Sequence, residues 1–312
     1  SSGPHYNSLR NRDPGDFGDA IRKTSTGGET EINVLRFSNS GRFSEKMSEL
    51  NNAKKNATGD NIISTYGPMD LGHSSKLISS TVDMPWNVSF TVSDSELEEA
   101  VSLADSLTTT ARDSENLNNM ISEDDVVNHR IVKDIASQIG EARDMMNITE
   151  PIGEIRLVCD FIQSITYKSI SEGNEDTSHP VEVLVNGFAD CKDCSVLAYS
   201  ILKQEPFNFD LDIPTLYGIT DYKDVTTPGE TYGHTSIGVP KSELGISGSV
   251  MDTDVLEGIV NTEFDENVKA TYTHNGTEYV YIELISMKPI GLVSKRWYDS
   301  IDGNIQSLNE LV

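Results

Sequence analysis

The stretch Val-Asn-Gly-Phe-Ala-Asp-Cys-Lys-Asp-Cys, residues 185–194, sets two of the chain's three cysteines, Cys191 and Cys194, three positions apart. Such a pair can be a redox dithiol, half of a metal clip, or a catalytic nucleophile beside a core thiol. Cys194, Leu197, Ala198, Ile201 and Leu202 recur at i, i+3, i+4, i+7 and i+8, the pattern of one buried helical face. Cys194 is therefore read as a small core residue, and so is Cys159 on the apolar stripe of its own helix. Cys191 differs. It follows Gly187 and Asp190 at a helix start, where unpaired N–H groups and the positive end of the dipole favour a thiolate. Asp190 and Asp193 put negative charge beside it, so a histidine must tip the balance.

Metal and redox are the weaker readings. No second Cys-x-x-Cys or paired His motif follows Cys194, so a closed zinc site lacks ligands. A thioredoxin-type dithiol follows a strand in a βαβ context, whereas antiparallel hairpin signals come after this helix. A nucleophilic thiol needs a base and a group that orients the base. The chain has six histidines. His5 and His73 lie in polar sequence, His129 on a helix with its ring in solvent, His179 in a loop before Pro180, and His274 at an exposed hairpin turn. His234 is left as the candidate base, at the start of a strand that puts Thr235, Ile237 and Val239 on one face and His234 on the other. A purely structural histidine is the alternative. Further on, Val280, Ile282 and Leu284 share one strand face, and Tyr279, Tyr281, Glu283 and Ile285 the other. A carboxylate among apolar neighbours is costly without a partner. Glu283 opposite His234 would remove that cost, and an edge-exposed Glu283 is the alternative.

These elements follow one another as Gly-x-x-Asp-Cys-x-Asp at 187–193, Gly-His-x-x-x-Gly-Val at 233–239 and Tyr-x-Tyr-Ile-Glu at 279–283. The ordered set resembles the transglutaminase-like cysteine hydrolase superfamily, in particular its archaeal, haloarchaeal-type domains. The segments around Phe161–Tyr167 and His179–Asp193 are similar to that family's lead-in. Ala189 stands where family members often carry a second glycine, and Cys194 where His or Thr is common. The resemblance covers residues 150–293 and implies an α+β fold with a papain-like core, the nucleophile helix packed on an antiparallel sheet. It implies Cys191 as nucleophile, His234 as base and Glu283 as the orienting acid. Cys191 would attack a carboxamide carbonyl and form a thioester, with its own backbone N–H and Gln163 or Tyr167 as oxyanion donors. Water as acceptor makes a peptidase or amidase, the favoured expectation; an amine makes a crosslinker. No cofactor or metal is expected.

The elements that must position these groups are legible in part. Residues 1–90 are rich in Ser, Gly, Asn and Thr and read as a polar extended arm with one short strand candidate at Ile32–Phe37, lying on the same chain or on a neighbour in an assembly. Residues 91–149 read as helical. Ser93 or Ser95 caps a helix carrying Leu97, Val101, Ala104 and Leu107, and the stretch 122–146 repeats the design with Val126, Ile131, Ile135 and Ile139. Pro151 opens a third helix striped by Ile155, Val158, Cys159 and Ile162. Strands are expected over 213–222 and 232–240, the latter ended by Pro240. Asn275-Gly276 predicts a two-residue hairpin turn of type I′. Residues 294–312 read as a tail with some helical character.

Composition narrows the setting. Among 312 residues, 24 Lys and Arg face 50 Asp and Glu, a formal charge of −26. That field repels nucleic acid and anionic lipid, and its spread along the whole chain fits a surface suited to high salt, where screening relieves self-repulsion. No apolar run approaches the roughly 18 residues of a membrane span. The start at Ser1, without Met, is read as the trace of an upstream segment removed, and four glycosylation-type triplets at Asn56, Asn87, Asn147 and Asn275 argue only weakly for export. The expected partner is a protein or peptide substrate, with neighbouring chains reached through the 1–90 segment. The expected place is the outside of a halophilic archaeon or a virus particle. The competing reading is a structural component of such a particle or envelope, with the three groups unused or used only in assembly. A calcium module has no ligand-spaced motif behind it, since residues 252–267 lack EF-hand spacing.

Overall fold

The computed structural model describes residues 18–26, 29–37, 61–69, 86–109, 113–167, 177–219, 232–244, 267–269, 271–284, 290–294 and 305–307. The architecture is α+β. Strands β1 (Gly18–Thr26), β2 (Glu29–Phe37), β3 (Asn61–Met69) and β4 (Trp86–Ser93) form one sheet in that order, with β2 and β3 parallel and the other pairs antiparallel. The reading of 1–90 as a polar extended arm is corrected on this point. The segment supplies three strands and most of a fourth, and its boundary at 90 falls inside β4. The polar composition hid β-formers such as Ile32, Val34, Ile62 and Ile63. In β4 burial alternates without a break, Trp86, Val88, Phe90 and Val92 inward and Asn87, Ser89 and Thr91 outward.

Helix α1 (Asp94–Leu107) starts on the expected Ser93 cap: Ser93 Oγ accepts the Glu96 N–H at 3.2 Å, and the Glu96 carboxylate accepts the Ser93 N–H at 3.4 Å. The stretch 122–146 is not one helix. It divides into the end of α2 (Asp113–Ser122), then α3 (Asp124–Val127) and α4 (Arg130–Met145), because the His129 side chain leaves the helical path to cap α4, Nδ1 accepting the Ile131 N–H. The apolar stripe survives the break, with Val126, Ile131, Ile135 and Ile139 all buried. Pro151 opens α5 (Pro151–Gln163), and α6 (Pro180–Asn186) and α7 (Cys191–Leu202) follow. Helices α5 and α7 pack against each other at the centre, and Ile155, Leu157, Val158, Phe161, Leu197, Ala198, Ile201 and Leu202 lose essentially all contact with solvent. Each large apolar side chain among them contributes about 1.5–3 kcal/mol, so the first turn of α7 sits on a rigid base.

The remaining strands are short. β5 (Thr166–Tyr167) pairs in parallel with β6 (Phe188–Ala189). β7 (Pro214–Ile219) lies between β8 (Tyr232–Thr235) and the C-terminal β14 (Ile305–Ser307). β9 (Ile237–Pro240) pairs with β12 (Thr277–Ile282), which forms the hairpin with β11 (Thr271–His274); β10 (Asn267–Lys269) pairs with β13 (Leu292–Ser294). The turn has φ of 47° at Asn275 and 79° at Gly276, the two left-handed residues a type I′ turn requires. One expectation changes: the strand over 232–240 is broken at Ser236, so its halves join different sheets. Within 294–312 the described residues are Ser294, which ends β13, and Ile305–Ser307 of β14, which pairs with β7; the expected helical character of the rest lies outside the described residues.

Candidate active site

The loop into α7 is built to stop one helix and start another. Gly187 closes α6 at φ 69°, a left-handed position that costs a side-chain-bearing residue about 1–2 kcal/mol. Asp190 then caps α7: its Oδ1 accepts the N–H of Lys192 at 2.8 Å and of Asp193 at 3.0 Å. Asp193 returns the favour, Oδ2 accepting the Asp190 N–H at 3.1 Å and Oδ1 the Ser178 N–H at 2.8 Å. Both acids are buried, and burial together with the Asp190 charge pushes the Asp193 carboxyl well above the usual carboxylate range. Their structural duty explains two carboxylates beside a thiol that they disfavour.

Cys191 is the first residue of this helix and is half-buried, whereas Cys194 and Cys159 are buried as the helical pattern predicts. The protein packed around the Cys191 sulfur pushes its thiol up, and the Asp190 charge adds to this; the Thr235 backbone N–H and the Lys192 ammonium act the other way. Burial and Asp190 therefore favour the thiol over the thiolate. Two further contacts tie the first turn of α7 to β8: Thr235 Oγ1 lies 3.1 Å from Ser195 Oγ, and Ser195 Oγ donates to the Cys191 carbonyl at 2.7 Å. The residue before Thr235 is His234.

His234 and Glu283 meet because of the break at Ser236. β9 pairs with β12 in the register Ile237↔Ile282, so Ser236 comes just before one end of the ladder and Glu283 just after the other strand's end, with His234 two residues upstream of Ser236. The Ser236 hydroxyl bonds the Ile282 carbonyl and its N–H bonds the Pro214 carbonyl at 3.2 Å, so one residue joins both sheets. His234 Nε2 then lies 3.1 Å from Glu283 Oε2, with 4% and 2% of the side chains exposed. Tyr281, two residues earlier on the same strand face, donates its hydroxyl to the same Oε2 at 3.2 Å. Burial and the nearby Glu283 hold the Tyr281 phenol well above its usual range, so it stays protonated.

The two tentative oxyanion donors fare differently. Gln163 Nε2 reaches the Glu283 backbone carbonyl at 3.4 Å, and Gln163 Oε1 accepts from Arg156 at 3.4 Å. Its amide thus joins the acid's backbone to α5, where Arg156 forms a buried ion pair with Asp160 at 3.2 Å. Tyr167 is placed by its backbone alone, paired with Ala189 two residues before Cys191; its side chain lies outside the described residues.

Three histidine assignments are corrected. His179 is wholly buried and caps α6, Nδ1 accepting the Val181 N–H at 3.1 Å. His129 is a cap too, its ring edge-on to His179 at 5.4 Å between centroids. His274 is buried rather than exposed, Nε2 lying 2.9 Å from the Asn275 side-chain nitrogen. His179 carried a capping signal, since Pro180 at the first helical position points to it. Tyr281, Ser195 and Thr235 also belong to the site, though none was among the expected functional residues. Spacing of two from Glu283 was the available signal for Tyr281; nothing local marks the other two.

Among the described residues, no group of three or more His, Cys, Asp or Glu side chains is placed to hold a metal ion, and no helix is long and apolar enough to cross a membrane. Comparison with protein-family models, curated proteins and solved structures finds no match for this chain.

Proposed function

We propose that the chain is a transglutaminase-like thiol hydrolase, a peptidase or amidase that works through a Cys191 thioester with His234 as base and Glu283 as the acid that orients it. The observation that carries this reading is the buried His234–Glu283 pair at 3.1 Å, set one residue from Thr235, whose backbone amide favours charge on the Cys191 sulfur. With Nε2 engaged by Glu283, Nδ1 is the nitrogen that takes the Cys191 proton as sulfur attacks the substrate carbonyl. The imidazolium then gives that proton to the leaving amine, and a water deprotonated by His234 releases the acid and restores the thiol. The Cys191 N–H, at a helix N-terminus, supports the developing oxyanion. We assign Gln163 to holding the Glu283 strand, given its bond to that backbone. The papain-like arrangement belongs to the same proposal: a buried nucleophile helix against short antiparallel strands is its support. The charge of −26 supports a high-salt setting.

The second reading, a structural protein with idle groups, is favoured by one observation. Both burial and Asp190 hold the Cys191 proton on. The test separates the two. Wild type and Cys191→Ala are incubated in high salt with mixed peptide amides, quenched in acid and weighed by intact-protein mass spectrometry. An acyl adduct on wild type alone, mapped to Cys191 and cleared by water with uptake of one solvent oxygen into the product, is expected. No adduct and no turnover on any amide would leave the structural reading.

A further inference from the structure

The Glu283 carboxylate receives two donors on one oxygen. His234 Nε2 comes from β8 at 3.1 Å, and the Tyr281 hydroxyl from β12 at 3.2 Å. Tyr281 is the largest fully buried side chain among the described residues, so its ring is held in place, with the Ser236 side chain also beside its hydroxyl. We propose that Tyr281 is a positioning residue: its hydroxyl fixes the carboxylate rotamer of Glu283 and thereby the ring of His234, the base of the proposed triad. The proposal rests on the triad reading above and adds a fourth member to it.

The chemistry favours this over simple packing. A strand Phe would fill the same volume, and a buried phenol next to a carboxylate is tolerated because it donates to it. The bond also favours the ionised carboxylate. Cys159 on α5 and Cys194 on α7 feel its charge, but burial pushes both thiols up, Cys159 to about 12, so they stay neutral. Without the hydroxyl, Glu283 carries its charge with one donor fewer.

The readout is the rate of Cys191 alkylation by iodoacetamide against pH, followed by peptide mass spectrometry on the folded chain in high salt. Tyr281→Phe is expected to move the acidic limb up by about one pH unit and to slow alkylation at neutral pH about three- to tenfold. In a Glu283→Gln background the same change is expected to do nothing more. Should Tyr281→Phe fail to fold, 3-fluorotyrosine at 281, which keeps ring and hydroxyl but donates more strongly, is expected to move the limb down. An unmoved limb in the Phe or fluorotyrosine protein, with His234→Ala still slowing wild-type alkylation, overturns the role of Tyr281 alone. A wild-type rate indifferent to His234→Ala overturns the triad reading as well.

Discussion

His234 Nε2 and Glu283 Oε2 stand 3.1 Å apart inside the protein, and almost nothing of either side chain reaches solvent. Such a pair is costly to break from one side. Glu283→Ala leaves a buried imidazole nitrogen without its acceptor, and His234→Ala leaves a buried carboxylate with Tyr281 as its remaining side-chain donor in this pair of contacts. Each single change is expected to destabilise by about 2–4 kcal/mol, and the double change to cost less than the sum, with a coupling of about 1–3 kcal/mol. Urea unfolding of the four proteins measures it. Additive losses would mean that the two groups do not interact.

Asp190 caps α7 and opposes the Cys191 thiolate at once, and the two duties can be separated. Asp190→Asn keeps an oxygen to accept the Lys192 and Asp193 N–H groups but removes the charge. Its expected effect is a lower Cys191 pKa and alkylation about three- to tenfold faster at pH 8, with stability little changed. An unchanged rate would show that Asp190 does not set the thiol's charge state.

His179 gives the fold an acid limit. Burial, and then the neighbouring His129, lowers its pKa from the ordinary 6.5 to about 4. Its Nδ1 must stay unprotonated to accept the Val181 N–H at the start of α6. A folded-state pKa below the unfolded one means that the unfolded chain binds the extra proton between these values. Stability from this residue is therefore complete above about pH 6.5 and is lost as pH falls towards 4, amounting to about 2–3 kcal/mol. His179→Asn keeps a capping oxygen without the titration. Its melting temperature is expected to fall less steeply between pH 6.5 and 4 than that of the wild type. Parallel slopes would place the acid sensitivity elsewhere.

What could be read from the sequence follows the range of the forces involved. Local signals were legible. The Ser93 capping box, the Pro151 start, the apolar stripes and the Asn275-Gly276 turn each depend on a few neighbouring residues, and each is present. His234 and Glu283 could be singled out because a buried acid on a strand needs a partner, although 49 positions separate them. The break at Ser236, which brings them together, depends on β9 choosing β12 while β8 chooses β7, a choice made between distant strands. The same holds for β1 to β3, whose pairing offsets a sequence too polar to show a periodic pattern, and for β14 on the edge of β7. His129 caps α4 with no fixed local signature, whereas His179 before Pro180 carried one that its polar context masked.

The central claim is that His234 activates the Cys191 sulfur, and the most direct measurement is the rate at which a small alkylating agent modifies Cys191 in wild type and in His234→Ala, at neutral pH and in high salt. Because burial and Asp190 favour the proton on the sulfur, the wild-type rate is expected to depend on His234. The prediction is modification of Cys191 ahead of the buried Cys159 and Cys194, slowed at least tenfold by His234→Ala, with both proteins folded. Equal rates in the two proteins, or no modification of Cys191 at any pH at which the chain stays folded, would contradict it.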